Sequence, residues 1–292
     1  MKVLVTGKGG QLAWELARTQ PEHMELVELG IEQLDITNAQ AVEEALKLHR
    51  PQYVINAAAY TAVDKAESDA EQAYLVNETG AENLSHACLK VDARLLHVST
   101  DFVFAGDKVR PYQPEDEPRP INVYGASKLA GDEAVSKIMK GHALIVRTAW
   151  VYSANGSNFV KTMLHLMSER PQLGVIYDQI GTPTWARGLA LWLWQVIDQK
   201  WNFDSTPIFH WTDAGVASWY DFAIAIQELA IEKGLLKMPV PIAPIATSAY
   251  PTPAARPAFS VIDKTSAESF AELSTVHWRQ QLSRMLDELA EL

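Results

Sequence analysis

The amino-acid sequence predicts an α/β fold: a doubly wound parallel sheet over residues 1–150, with later returns of the chain at roughly 175–200, and a smaller C-terminal α/β domain formed mainly by 151–292. Three observations carry this. The chain opens on an apolar strand, Lys2-Val3-Leu4-Val5-Thr6, which breaks into Gly7-Lys8-Gly9-Gly10 and resumes as an apolar-periodic helix through Leu16. Short apolar runs then alternate with helix-length segments as far as Arg147, the pattern of successive βαβ units. Beyond Trp150 the alternation gives way to shorter, mixed pieces.

The first strand–helix turn has the form G-x-x-G-x-x-A, a dinucleotide-binding fingerprint, which makes the sheet Rossmann-type. Gly7 allows the tight turn, Gly10 lets backbone amides approach a pyrophosphate, and Ala13 lets the helix lie close to the strand with its N-terminus toward the phosphates. Met24 to Leu29 is the second strand. At its end an acid would select NADH through the ribose 2′-hydroxyl and a base would favour NADPH; the residue there is Gly30, so use of either NADPH or NADH is expected. A helix from Asn38 to His49, with Asp35 or Thr37 as its cap, precedes a strand from Tyr53 to Ala59. Val63-Asp64-Lys65-Ala66-Glu67 reads as a loop over the site, its charges otherwise being simply solvated. Asn77 to Leu89 forms a long helix that buries the single cysteine, Cys88, as a structural thiol.

Leu95 to Val98 is the next strand, so Ser99, Thr100 and Asp101 fall at its carboxyl end, where open α/β sheets place ligands. Pro111, Pro114, Pro118 and Pro120 make the following segment an excursion that delivers Tyr124. His142 to Arg147 is the strand after the helix that carries Tyr124. The later pieces read as helix Asn158 to Ser168, strand Gly174 to Tyr177, helix Trp185 to Lys200, strand Ile208 to Trp211 and helix Ser218 to Lys233. Prolines then hold Ile245 to Pro257 extended.

At 292 residues and 48% hydrophobic, the chain can bury a substantial core. Its net charge of -11 argues against nucleic acid and anionic membranes as main partners, since both need clustered cations. No apolar run approaches the roughly 20 residues that span a bilayer, and no signal-peptide core follows Met1, so a cytoplasmic protein is expected. One cysteine leaves no disulfide and no Cys-ligated metal.

The chemistry concentrates in Ser99-Thr100-Asp101 and Tyr124-Gly125-Ala126-Ser127-Lys128. Tyr124 and Lys128, four residues apart, share a helix face, so the lysine can hold its charge beside the phenol and bring it nearer neutrality. With the Thr100 hydroxyl at the strand end, a hydroxyl, a phenol and an ammonium come within reach of one carbonyl, the equipment of a ketone reductase.

Six ordered blocks resemble the extended short-chain dehydrogenases/reductases and, among them, the dTDP-4-dehydrorhamnose reductase family. They are Gly7 to Leu12, Asn56 to Glu67, Ser99 to Phe104, Asn122 to Gly125, Arg147 to Tyr152 and Tyr250 to Pro253. The resemblance implies reduction of the 4-keto group of a dTDP-6-deoxy-L-hexulose, with hydride from a nicotinamide and a proton from Tyr124. It implies that Gln11 and Leu12 join Gly7 and Gly10 at the cofactor, that Asp35 and Ile36 meet the adenine, and that Ala59, Tyr60 and Thr61 touch the cofactor. Lys128 would bond the nicotinamide ribose and Thr100 the keto oxygen, while Asp101 and Trp150 orient the sugar. Arg256 matches an arginine before proline in that family, its guanidinium suited either to a diphosphate or to an acidic neighbour.

Two rivals share these features. One is a nucleotide-sugar epimerase or a reductase of another keto-sugar; the other is a non-catalytic regulatory subunit of the methionine adenosyltransferase type, which resembles the same family. Some family members bind Mg²⁺ at a dimer interface through three glutamates. Glu15 and Glu288 match two of those places, but Arg187 stands at the third, where a guanidinium removes a ligand, repels the ion and invites an ion-pair cluster. The resemblance therefore implies an enzyme without metal, monomeric or a homodimer.

Overall fold

A computed structural model describes residues 1–291. β1 (Lys2–Thr6), α1 (Gln11–Arg18), β2 (Glu25–Leu29), α2 (Ala39–His49) and β3 (Tyr53–Asn56) alternate as the apolar pattern requires. The cap of α2 is Asn38, whose side chain accepts from the Ala41 amide at 3.1 Å; Asp35 instead closes a turn by accepting from the Thr37 amide at 2.9 Å. There follow α3 (Val63–Ala66), α4 (Ala70–Tyr74), α5 (Gly80–Lys90), β4 (Arg94–Thr100), α6 (Val123–Met139) and β5 (Ala143–Thr148). The segment read as a loop, Val63 to Glu67, thus holds a single helical turn. The helix expected to start at Asn77 is continuous with α4 through a π turn, Leu75–Thr79. Asn77 lies inside that turn and is buried.

The chain continues through β6 (Val151–Tyr152), α7 (Phe159–Glu169), β7 (Leu173–Ile176), β8 (Ile180–Gly181) and β9 (Thr184–Trp185). After these come α8 (Ala186–Asp198), β10 (Ile208–His210), β11 (Ala217–Ser218), α9 (Trp219–Glu232), β12 (Ile242–Ile245), α10 (Thr265–Ala271) and α11 (Trp278–Glu291). Six parallel strands form the main sheet in the order β2-β1-β3-β4-β5-β10. The strand order reverses between β1 and β3, which puts a crevice for a ligand at their carboxyl ends. β7 pairs with β12 outside this sheet, whereas β10 completes its edge beside β5.

Both faces of the sheet are covered, so its strands are apolar on successive residues rather than alternating. Val3, Val5, Ile55, Leu96 and Val146 pack against Leu12 and Leu16 of α1 and Trp192, Leu193, Val196 and Ile197 of α8. Leu4, Val54, Leu95 and Ile145 pack on the other face against Leu46, Leu84 and Val135 of α2, α5 and α6. A third core joins Tyr152, Val160, Phe222, Ile226, Trp278, Leu282 and Met285 in the C-terminal unit. No helix among the described residues is long and apolar enough to cross a membrane.

Candidate active site

The cofactor loop is built on close backbone approach. Gly7 has φ +77°, and a Cβ there would lie 2.9 Å from the Ala57 carbonyl and the Ala58 nitrogen, so only glycine lets the end of β1 meet the end of β3. Gly10 caps α1 in an extended conformation, its own N–H donating to the Gly7 carbonyl at 3.0 Å. The free amides of the first turn of α1 then face the loop, a seat that fits a pyrophosphate. Leu12 and Ala13 are buried beneath it. Gln11 accepts from Asn158 Nδ2 at 2.9 Å and reaches the Val151 carbonyl, so it ties the loop to the C-terminal unit. At the end of β2, Lys8 borders Gly30: a Cβ on Gly30 would lie 3.6 Å from Lys8 Cβ, and the Lys8 amide donates to Leu29. β2 itself carries no base; this one arrives from the neighbouring loop. Asp35 is exposed, while Ile36 is buried against Gly80 of α5.

Ala59, Tyr60 and Thr61 are fixed by a residue the sequence reading passes over. Asn77 accepts from the Tyr60 amide at 2.9 Å and donates to the Tyr60 carbonyl at 3.1 Å and to Ser127 Oγ at 2.9 Å. Ser127 in turn donates to the Tyr124 carbonyl at 2.9 Å. A buried polar side chain in a helix is the signal that could reveal Asn77, since it needs partners outside the helix.

Thr100, Asp101, Tyr124 and Lys128 meet at the carboxyl end of β4. Thr100 accepts from the Phe102 amide at 3.2 Å, donates to Asp101 Oδ1 at 3.1 Å and lies against the Tyr124 hydroxyl. α6 comes this close because Gly125 rests on the Phe102 carbonyl, where any Cβ would overlap, and because Asn122 caps the helix by accepting from the Gly125 amide at 2.7 Å. Lys128 donates from Nζ to the Val98 carbonyl at 2.8 Å. Burial pushes the Tyr124 phenol up to about 12, and the Asp101 and Asp132 carboxylates add to this against the contact with Thr100. Burial likewise pushes the Lys128 ammonium down to about 8, opposed by Asp132. Lys128, expected to draw the phenol toward neutrality, is turned to a backbone carbonyl, and burial with two carboxylates outweighs its charge at rest. A phenol that keeps its proton is the form a reductase needs. Burial raises the Asp101 carboxyl to about 6, with Ser260 and Thr100 pulling the other way.

On the substrate side, Trp150 has φ +48° and stacks on Trp219 with ring centroids 3.4 Å apart. A Cβ on Gly181 would lie 2.6 Å from the Trp150 indole, so glycine is required there for the ring to occupy its place. Arg256 makes a two-bond pair with Asp64, Nη2 to Oδ2 at 2.8 Å and Nη1 to Oδ1 at 3.0 Å, which joins the extended 252–256 segment to α3. Of the two readings of Arg256, the acidic neighbour is the one present. Glu67 accepts from the Val123 amide at 2.9 Å, so both acids, though partly open to solvent, join this segment to other elements.

Glu15, Arg187 and Glu288 also meet. Arg187 Nε donates to Glu15 at 2.8 Å, its Nη2 pairs with Glu288 at 2.5 Å, and Arg18 pairs with Glu288 at 3.0 Å. Ser153 Oγ and Trp185 Nε1 donate to the same buried Glu15 at 2.8 and 3.1 Å. A guanidinium between two carboxylates does not fit a divalent cation.

Residues 1–291 match the RmlD substrate binding domain family. The chain belongs to that family. It is 39% identical to the dTDP-4-dehydrorhamnose reductase of Escherichia coli K12, covering 99% of this chain and 98% of the relative. It is 40% identical to the enzyme of the same name from Burkholderia thailandensis, with 96% of each covered. Among solved structures, a dTDP-4-dehydrorhamnose reductase from Clostridium acetobutylicum superposes with a TM-score of 0.92 at 38% identity over 99% of both chains. One from Bacillus anthracis, solved in complex with NADP, superposes with a TM-score of 0.91 at 35% identity over 98% of this chain and 99% of that one. UDP-glucose 4-epimerase from Thermotoga maritima, with a TM-score of 0.82 at 17% identity, shares the fold alone.

Proposed function

We propose that this family member reduces the 4-keto group of dTDP-4-dehydro-L-rhamnose to give dTDP-L-rhamnose, using NADPH or NADH, in the cytoplasm. The observation that carries the reading is the convergence of Thr100, Tyr124 and Lys128 at the end of β4, in a chain similar over its whole length to proteins named for that reaction. The nicotinamide, when bound, supplies the hydride. Gly7, Gly10 and the first turn of α1 hold the pyrophosphate, and the Asn77 clamp sets the Ala59–Thr61 backbone against the cofactor.

Tyr124 gives its proton to the keto oxygen as the alkoxide develops. Thr100 donates a hydrogen bond to the same oxygen, and the Lys128 charge stabilises the negative charge left on the phenol. Asp101 and Trp150 orient the sugar ring. Arg256, released from Asp64 or bridging from it, reaches the diphosphate. Arg187 occupies the place that a metal ion would need, so the reaction runs without Mg²⁺ and the protomer needs no metal bridge to a partner. A regulatory subunit would have no use for a proton donor and its ammonium, buried together. The test is NADPH consumption with the dTDP-keto-sugar: one cofactor oxidised per product formed supports reduction, and conversion without net oxidation is the outcome of an epimerase.

A further inference from the structure

Behind the catalytic pair lies a row of buried polar groups that the proposed reduction does not use. Thr6, Asn56 and His97 stand side by side on β1, β3 and β4, in register across the sheet. The Ala58 amide donates to Thr6 Oγ1 at 3.2 Å, and the Thr6 hydroxyl donates to Asn56 Oδ1 at 2.8 Å. This orients the Asn56 amide so that its Nδ2 donates to His97 Nδ1 at 3.1 Å. With Nδ1 occupied as an acceptor, the His97 proton resides on Nε2, which faces Asp132 Oδ1 at 3.7 Å. The other oxygen of Asp132 accepts from Arg147 Nε at 3.1 Å. Asp132 follows Lys128 by one helical turn, as Lys128 follows Tyr124, so the three share one ridge of α6. Asp132, Arg147, His97 and Lys128 are each no more than 2% exposed.

We propose that Asp132 is a positioning residue for the reduction: its carboxylate, held by Arg147 and one helical turn from Lys128 on α6, is the counter-charge that keeps Lys128 an ammonium inside the buried site, with the Thr6–Asn56–His97 row packed beside it. This rests on the reductase reading. An ammonium moved from water into a protein interior loses its proton readily unless a carboxylate lies nearby, and Asp132 is the acid that supports Lys128 here. The groups that face this centre are Tyr124 on α6, His97 and Asp101 near β4, Arg147 on β5 and His210 on β10. Both histidines are held neutral by burial, with a cation adding to the effect, Lys128 on His97 and Arg147 on His210, so neither competes with Lys128 for the Asp132 carboxylate. Burial pushes the Asp132 carboxyl up, and Arg147, bonded to it at 3.1 Å, is the largest of the groups, with Ser99 and Lys128, that draw it back toward the ionised form. The carboxylate favours the protonated form of Tyr124 as well, so one acid keeps both proton-bearing groups loaded.

The experiment follows Lys128 directly, by carbon NMR of lysine labelled at Cε in the cofactor-free protein, with the resonance assigned from a Lys128→Arg sample. The Asp132→Asn variant keeps the shape and an acceptor for Arg147 but removes the charge. We expect its Lys128 titration to move down by about one pH unit or more, with the alkaline limb of kcat moving by the same amount, and Asp132→Glu to restore both. A Lys128 titration unchanged in Asp132→Asn overturns the proposal, as does a uniform fall in kcat with no movement of the pH profile. If Asp132→Asn does not fold, the double variant Asp132→Asn/Arg147→Met, which removes both members of the ion pair, carries the same two readouts. Wild-type protein that fails to oxidise NADPH with the keto-sugar sinks the reductase reading alone, because the NMR titration needs no turnover.

Discussion

Replacing Arg187 by alanine leaves a buried carboxylate without its cation, and the structure sets the size of the effect. Glu15 is 0% exposed, while the Arg187 side chain is 24% exposed, so the pair is buried on one side and half-open on the other. Breaking a fully buried ion pair by removing one partner costs about 3–5 kcal/mol. Here Ser153 and Trp185 still donate to Glu15, and water reaches the place vacated by the guanidinium, which together reduce the cost to about 2–3 kcal/mol. Loss of the guanidinium from over the Trp185 ring, at 4.3 Å, adds about 0.5–1 kcal/mol. The sum is roughly 2.5–4 kcal/mol, measurable as a lower urea midpoint at unchanged slope. A double-mutant cycle with Glu15→Gln isolates the charge: the amide still accepts from Ser153 and Trp185, so the second substitution should recover about 1–3 kcal/mol of the first. A loss below about 0.5 kcal/mol for Arg187→Ala, the level of an ordinary surface substitution, or strict additivity of the two changes, would refute the reasoning.

Three further outcomes follow from the site. Tyr124→Phe should lower kcat by roughly 10² or more while the affinity for NADPH stays within twofold, read by fluorescence titration. The reduction rate should hold from neutrality to about pH 8 and fall above it as Lys128 loses its proton, whereas Tyr124, pushed up to about 12, stays protonated throughout; below about pH 6 protonation of Asp101 should raise KM for the sugar nucleotide, and a profile flat to pH 10 contradicts the assignment of Lys128. Lys8→Ala should raise KM for NADPH by roughly tenfold and leave KM for NADH within twofold, because a 2′-phosphate beside Gly30 would lose its only neighbouring cation on that loop, a charge-assisted contact of about 1.5 kcal/mol or more.

The order of strands and helices is legible in the sequence because burial on both faces leaves its mark on the composition of a parallel strand. Val3-Leu4-Val5 and Leu95-Leu96 carry no polar residue to break the run, and Gly7 marks the sharp turn that a positive φ requires. The proposed catalytic group is legible because its members lie on one strand end and one helix, where spacing alone places them. What is not legible depends on partners distant in the chain. Asn77 looks like a surface residue of an ordinary helix until the π turn points it at Tyr60 and Ser127. Asp132 and His97 acquire a role only when β1, β3, β4, β5 and α6 are assembled. Local spacing puts a lysine beside a tyrosine but cannot tell that Nζ turns to the Val98 carbonyl or that burial outweighs the charge. The cluster of Glu15, Arg187 and Glu288 is legible only by resemblance to a family whose third residue differs, and the geometry replaces a ligand set by an ion pair.

The measurement that bears most directly on the central claim follows absorbance at 340 nm for the metal-free protein with NADPH and dTDP-6-deoxy-L-lyxo-4-hexulose, beside the corresponding UDP-sugar, with product identified by NMR. The account predicts oxidation of one NADPH for each dTDP-L-rhamnose formed, little or none with the UDP-sugar, and no dependence on added Mg²⁺. Turnover of the keto-sugar with no net loss of NADPH, or activity that appears only with Mg²⁺, would contradict it.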